Sequence, residues 1–124
     1  MLDPASGGFS FRNKIINGDM RIAQRALTYT LGSAIAYGSL DRWSARQIGA
    51  TTGGIFNQLN GGSGLAGLPY AMRFGRSAGA TNTGVIEVIQ AVETLNSLPL
   101  QGQTVTLSFY ALKSANYSGG NMTV

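Results

Sequence analysis

Few side chains in this sequence could perform chemistry, because its 124 residues contain neither histidine nor cysteine. Nucleophilic catalysis of the Ser-His-Asp or Cys-His kind needs a base that is half-deprotonated near neutral pH, so both schemes are excluded for the isolated chain. A zinc centre would lack its nitrogen and sulfur ligands, and no disulfide framework can form. Carboxylate chemistry remains. Asp19, Asp41, Glu87 and Glu93 are the acids within the body of the sequence. A glycoside hydrolase holds two carboxyl groups at a set separation across a sugar, and nothing in this spacing selects a pair. The expectation is a protein that is not an enzyme.

Other patterns suggest binding. Gly62, Gly64 and Gly67 spell GxGxxG, with Glu87 twenty positions after the last glycine, where a dinucleotide fold places its ribose-binding acid. That mechanism needs a helix to open in the loop so that its first amides meet a pyrophosphate. Pro69 and the alternating Tyr70, Met72 and Phe74 follow instead, so the match reads as a product of a glycine-rich loop. Asn116-Tyr117-Ser118 and Asn121-Met122-Thr123 fit the glycosylation pattern. The opening Met1-Leu2-Asp3-Pro4 has no basic region followed by an apolar run, so no export signal is expected and the two matches read as incidental. Trp43, the sole tryptophan, alternates with charged neighbours and is expected to be buried. Tyr29, Tyr37, Tyr70 and Tyr117 fall in or beside loops and are the candidates for stacking on a sugar ring.

The formal charge is +4, and Arg12, Lys14, Arg21 and Arg25 crowd into the first 25 positions near Asp19. Such a cluster suits an acidic partner surface, but an ordinary solvated face is the expectation. Nucleic-acid binding would want exposed aromatics among the basic residues, and here the aromatics are needed for a core, so no nucleic-acid partner is expected. No stretch approaches the roughly 18 apolar residues of a membrane span, and no membrane partner is expected.

The elements that must position these residues read as strands. Eighteen glycines and only 11% charged residues describe short strands joined by tight turns in a single all-β domain. Residues 1–12 read as an arm, in which Phe9 and Phe11 alternate with Ser10; with Arg12 and Lys14 they are the candidate assembly contacts. Residues 13–124 form the body. Ile16, Gly18, Met20 and Ile22 share one face at period two and predict a first strand. Residues 27–40 predict a surface loop, 42–48 a strand carrying Trp43 and Ala45 on one face, and 55–59 another strand. The glycine-rich run 60–69 is a loop. Tyr70, Met72 and Phe74 predict a strand ending at a loop over 75–84, and the β-branched run 85–92 a further strand, followed by a loose helical turn before Pro99. Residues 104–112 form the clearest alternation, with Val105, Leu107, Phe109 and Ala111 opposed to Thr106, Ser108 and Tyr110. Asn121 to Val124 resembles the start of another strand, so the chain is expected to be the front of a longer protein. Six or seven strands imply an antiparallel β-sandwich, incomplete at its C-terminal end.

The stretch Asn13-Lys14-Ile15-Ile16-Asn17-Gly18-Asp19-Met20-Arg21-Ile22-Ala23-Gln24-Arg25 resembles the opening phrase of a family of tailed-phage structural proteins with a carbohydrate-binding-module-like jelly roll. Asp41-Arg42-Trp43 is similar to that family's D-R-W strand. Residues 101–113, containing Val105-Thr106-Leu107-Ser108-Phe109-Tyr110-Ala111-Leu112-Lys113, resemble its V-T-L-S-F phrase. The three matches cover residues 13–113 in order. The resemblance implies a jelly-roll-like sandwich and a virion protein, assembled in the host cytoplasm, with no catalytic site. In related modules the N-G turn helps to hold a structural Ca²⁺, which by resemblance falls on Asn17, Gly18 and Asp19.

The function expected is that of a non-enzymatic bacteriophage structural protein, a tail-fibre or adsorption component serving assembly and host-surface attachment. The alternatives are an autonomous glycan-binding module and a capsid decoration or head-fibre protein. The expected partners are other virion proteins, further copies of the chain in a homo-oligomer such as a trimer, and a host surface glycan. No cofactor is expected beyond structural Ca²⁺.

Overall fold

A computed structural model describes residues 13–49, 53–61, 64, 66–80, 84–115, 117, 120 and 122–124. Its regular structure is mostly strand: β1 (Thr28–Thr30), β2 (Ser44–Ile48), β3 (Gly54–Asn60), β4 (Tyr70–Arg76) and β5 (Val85–Ile89). One short helix, α1 (Thr94–Ser97), runs into a 3₁₀ turn at Leu98–Leu100 that carries Pro99. The strands form two antiparallel sheets, ordered β1-β3-β4 and β2-β5, as the all-β expectation required.

Alternation explains which side of each sheet is buried. Tyr29 of β1, Phe56 of β3 and Phe74 of β4 stand in register, and so do Ala45 of β2 and Val88 of β5. Leu31, Leu40, Ala45 and Phe56 are the buried hydrophobic centre, with Tyr29, Trp43, Met72, Ile86 and Val88 packed around it. Both sheets therefore contribute to one core. Fully burying a side chain of the Leu or Phe type contributes roughly 1.5–3 kcal/mol, so a centre this small depends on the partly buried residues around it. The chain ties the two sheets together after β1. Leu31 N–H donates to Gly54 O, Gln47 N–H donates to Gly32 O, and Ala36 forms an isolated antiparallel bridge with Ala45.

Strands expected at 42–48, 55–59, 70–74 and 85–92 are present, with β2 two residues shorter and beginning after Trp43, β3 and β4 each two residues longer and β5 three shorter. Three readings are corrected. The strand expected from Ile16 is a turn over residues 16–19. Its backbone is claimed by side-chain amides instead of a ladder: Gln90 bonds both N–H and O of Ile16, and Gln58 Nε2 donates to the carbonyls of Met20 and Arg21. The loop expected at 27–40 contains β1, whose three residues are too few for periodicity to register. Residues 104–112 are not a strand but an exposed segment with no ladder partner among the described residues, because alternation supplies faces while pairing needs a neighbour at hydrogen-bonding distance. The arm over residues 1–12, with Phe9, Phe11 and Arg12, lies outside the described residues, as do Gly62, Asn116 and Asn121. Among the described residues no helix is long and apolar enough to cross a membrane.

Candidate functional site

The phrases around Asn17 and Asp41 fold into a single corner. Asn17 Nδ2 donates to Ile22 O and to Asp41 O, both at 2.9 Å, and Asn17 Oδ1 accepts Ile22 N–H at 3.1 Å. Asn17 O accepts the indole N–H of Trp43 at 3.1 Å and Met20 N–H at 3.2 Å. Asp41 N–H donates to Ile22 O, and the Asp41 carboxylate accepts Gln24 N–H. Asparagine suits the centre of this corner because its side chain both donates and accepts, and because it tolerates the left-handed backbone found there.

Backbone strain concentrates at the same place. Asn17 (φ 54°), Met20 (φ 60°) and Arg42 (φ 72°) are the non-glycine residues with positive φ among those described. Such conformations cost of order 1–3 kcal/mol for ordinary residues and persist where surroundings over-determine them, often beside a binding site. Here the hydrogen bonds of Asn17 and Trp43 supply the over-determination.

Above the corner opens a cleft of about 630 Å³, walled by Gln24, Arg25, Tyr37, Asp41, Arg42 and Glu93, with Ile22, Ala91 and Val92 supplying apolar surface. The Arg25 guanidinium lies 5.8 Å from the centre of the Tyr37 ring, within cation–π range, and 3.9 Å from Asp41. Arg42 Nη2 reaches Glu93 Oε1 at 2.5 Å across the opposite side. Tyr37 is 48% exposed. The cleft thus offers one aromatic face and two arginine–carboxylate pairs, which together can stack on and hydrogen bond a polar ring such as a sugar.

The four tyrosines expected to stack are not brought together. Tyr37 alone lines the cleft. Tyr29 is half-buried against the core, its ring close over Gly38. Tyr70 is half-buried at the start of β4 opposite Asn60. Tyr117 is exposed and donates its hydroxyl to Gly120 O. Lys14, within the first phrase, is half-buried and does not line the cleft. Of the residues expected by resemblance to hold Ca²⁺, the Asn17 oxygens accept N–H donors and Asp19 pairs with Arg21 at 2.8 Å. Ca²⁺ takes six to eight converging oxygens, and among the described residues no cluster of three acidic groups forms.

Sequence reasoning missed Arg25, Arg42, Gln24 and Glu93 as cleft residues. The signal was available for the first three, which stand inside the two phrases. Glu93 carries none, since only the folded chain sets it against Arg42. All four acids in the described body face an arginine: Asp19 with Arg21, Asp41 with Arg25, Glu87 with Arg46 and Glu93 with Arg42. No protein family, curated protein or solved structure matches the chain.

Proposed function

We propose that this chain is a non-enzymatic structural module of a tailed-phage particle, a tail-fibre or adsorption component, whose cleft around Tyr37 recognises a glycan on the host surface. The observation that carries the reading is the corner itself. The two phrases that resemble phage proteins spend Asn17, Asp41 and Trp43 on holding each other, and hold Arg25 and Arg42 beside an exposed Tyr37. The sandwich is read as an incomplete jelly roll, with two strands facing three.

Two measurements test this. Immunogold labelling of purified particles with antibodies to the chain should mark one particle end, and unlabelled particles would refute the virion role. On a glycan array the chain should bind at least one saccharide class, with Tyr37→Ala lowering affinity about three- to tenfold, in line with the ~0.5–1.5 kcal/mol of an aromatic contact. Labelled particles with an empty array would leave a decoration or spacer protein.

A further inference from the structure

The segment with the strongest strand pattern has no sheet. Among the described residues, no backbone hydrogen bond engages residues 104–113; turn bonds flank them, from Gln103 N–H to Leu100 O and from Tyr117 N–H to Ser114 O. Val105, Leu107 and Phe109 are 61%, 53% and 56% exposed on one side, and Tyr110 and Leu112 are 81% and 71% exposed on the other. A segment with alternating side chains and no ladder among the described residues offers a donor strand.

The acceptor is present in the same chain. The outer edge of β2 is occupied by the segment from Gly32 to Ala36. Among the described residues no strand lies along the outer edge of β5. Across the core, Phe74 shares the inward side of β4 with Met72 and yet is 42% exposed, as expected where a facing strand is missing. Within one copy the donor is led away from this edge. α1 and the 3₁₀ turn are followed by the Gln101 and Gln103 turn bonds. Tyr110 then lines a shallow hollow with Ala66, Gly67 and Leu68, and Leu112 lies beside Gly64, where an added Cβ would stand 3.1 Å from Leu112 Cδ2.

We infer that two copies of the chain associate by reciprocal strand addition, residues 104–112 of each extending the β2-β5 sheet of the other along the free edge of β5. A donor and an acceptor open in one molecule permit two-fold closure, in which each copy gives one strand and receives one. An added strand turns one side to the core, here Val105, Leu107 and Phe109, and the reciprocal exchange buries that side twice; Phe109 alone brings roughly 150–250 Å² in each copy. This interface is independent of the Tyr37 cleft and of any glycan.

Sedimentation equilibrium of the full chain, combined with hydrogen exchange, tests the inference. A dimer is expected at micromolar concentration, with the amides of residues 104–112 protected in the dimer and losing that protection on dilution. Leu107→Asp should shift the dissociation constant at least a hundredfold while the fluorescence of Trp43, the sole tryptophan, stays native. Should that variant disturb Trp43, Thr106→Pro, which removes one ladder donor, serves the same purpose. A chain that stays monomeric, a dimer whose residues 104–112 exchange freely, or a dimer indifferent to both substitutions overturns the inference. Protection of residues 104–112 in a monomer overturns it as well, because the strand would then close on its own copy.

Discussion

At Asn17 one carboxamide makes three hydrogen bonds to the main chain of Ile22 and Asp41, while the residue's own backbone sits at φ 54°. Each bond contributes about 1 kcal/mol net, and a left-handed conformation penalises a residue with a Cβ unless it is asparagine or aspartate. Asn17→Ala should therefore cost about 3–4 kcal/mol in urea unfolding. Asn17→Gly, which keeps the backbone freedom and loses only the side chain, should cost about 1 kcal/mol less. Equal losses in the two variants would mean that backbone strain plays no part. The surface pairs weigh far less: Arg21 with Asp19 and Arg42 with Glu93 join side chains that are largely exposed, where ion pairs contribute little.

At the scale of elements, the least legible strand is the one that seats an aromatic. β1 is three residues long, yet it places Tyr29 opposite Phe56 and over Gly38. A Cβ added at Gly38 would fall 1.9–2.3 Å from the Tyr29 ring, a distance no contact permits. Gly38→Ala should destabilise the fold by about 2–3 kcal/mol, the usual scale for overpacking a core, seen as a lowered urea midpoint. Gly75→Ala, in β4 with nothing within 4 Å of the added methyl, should leave the midpoint unchanged or raise stability by up to about 1 kcal/mol. If the two behaved alike, the packing of Tyr29 on Gly38 would not support β1. The helical turn after β5 carries no buried residue and acts as a spacer between β5 and the donor segment.

For the whole molecule, the described residues from Gln101 onward are all exposed, so the two-sheet body should stand without them. A chain ending at Gly102, compared with the full chain at a dilution that keeps both monomeric, should unfold within about 0.5 kcal/mol of it, the range for changes at exposed positions. A larger loss would show that residues 103–124 belong to the core. By itself, the sequence determined the β class, four of the five strands and the absence of histidine and cysteine chemistry, because period-two alternation and residue type are local properties; Trp43, expected to be buried, is half-buried against the core. The sequence did not determine that residues 16–22 are pinned by Asn17, Gln58 and Gln90, that Glu93 meets Arg42, or that residues 104–112 find no ladder partner among the described residues. Each of these depends on which distant segments come within about 3 Å of one another. Alternation marks the two faces of a strand; only the tertiary structure decides whether a neighbour stands at its edge.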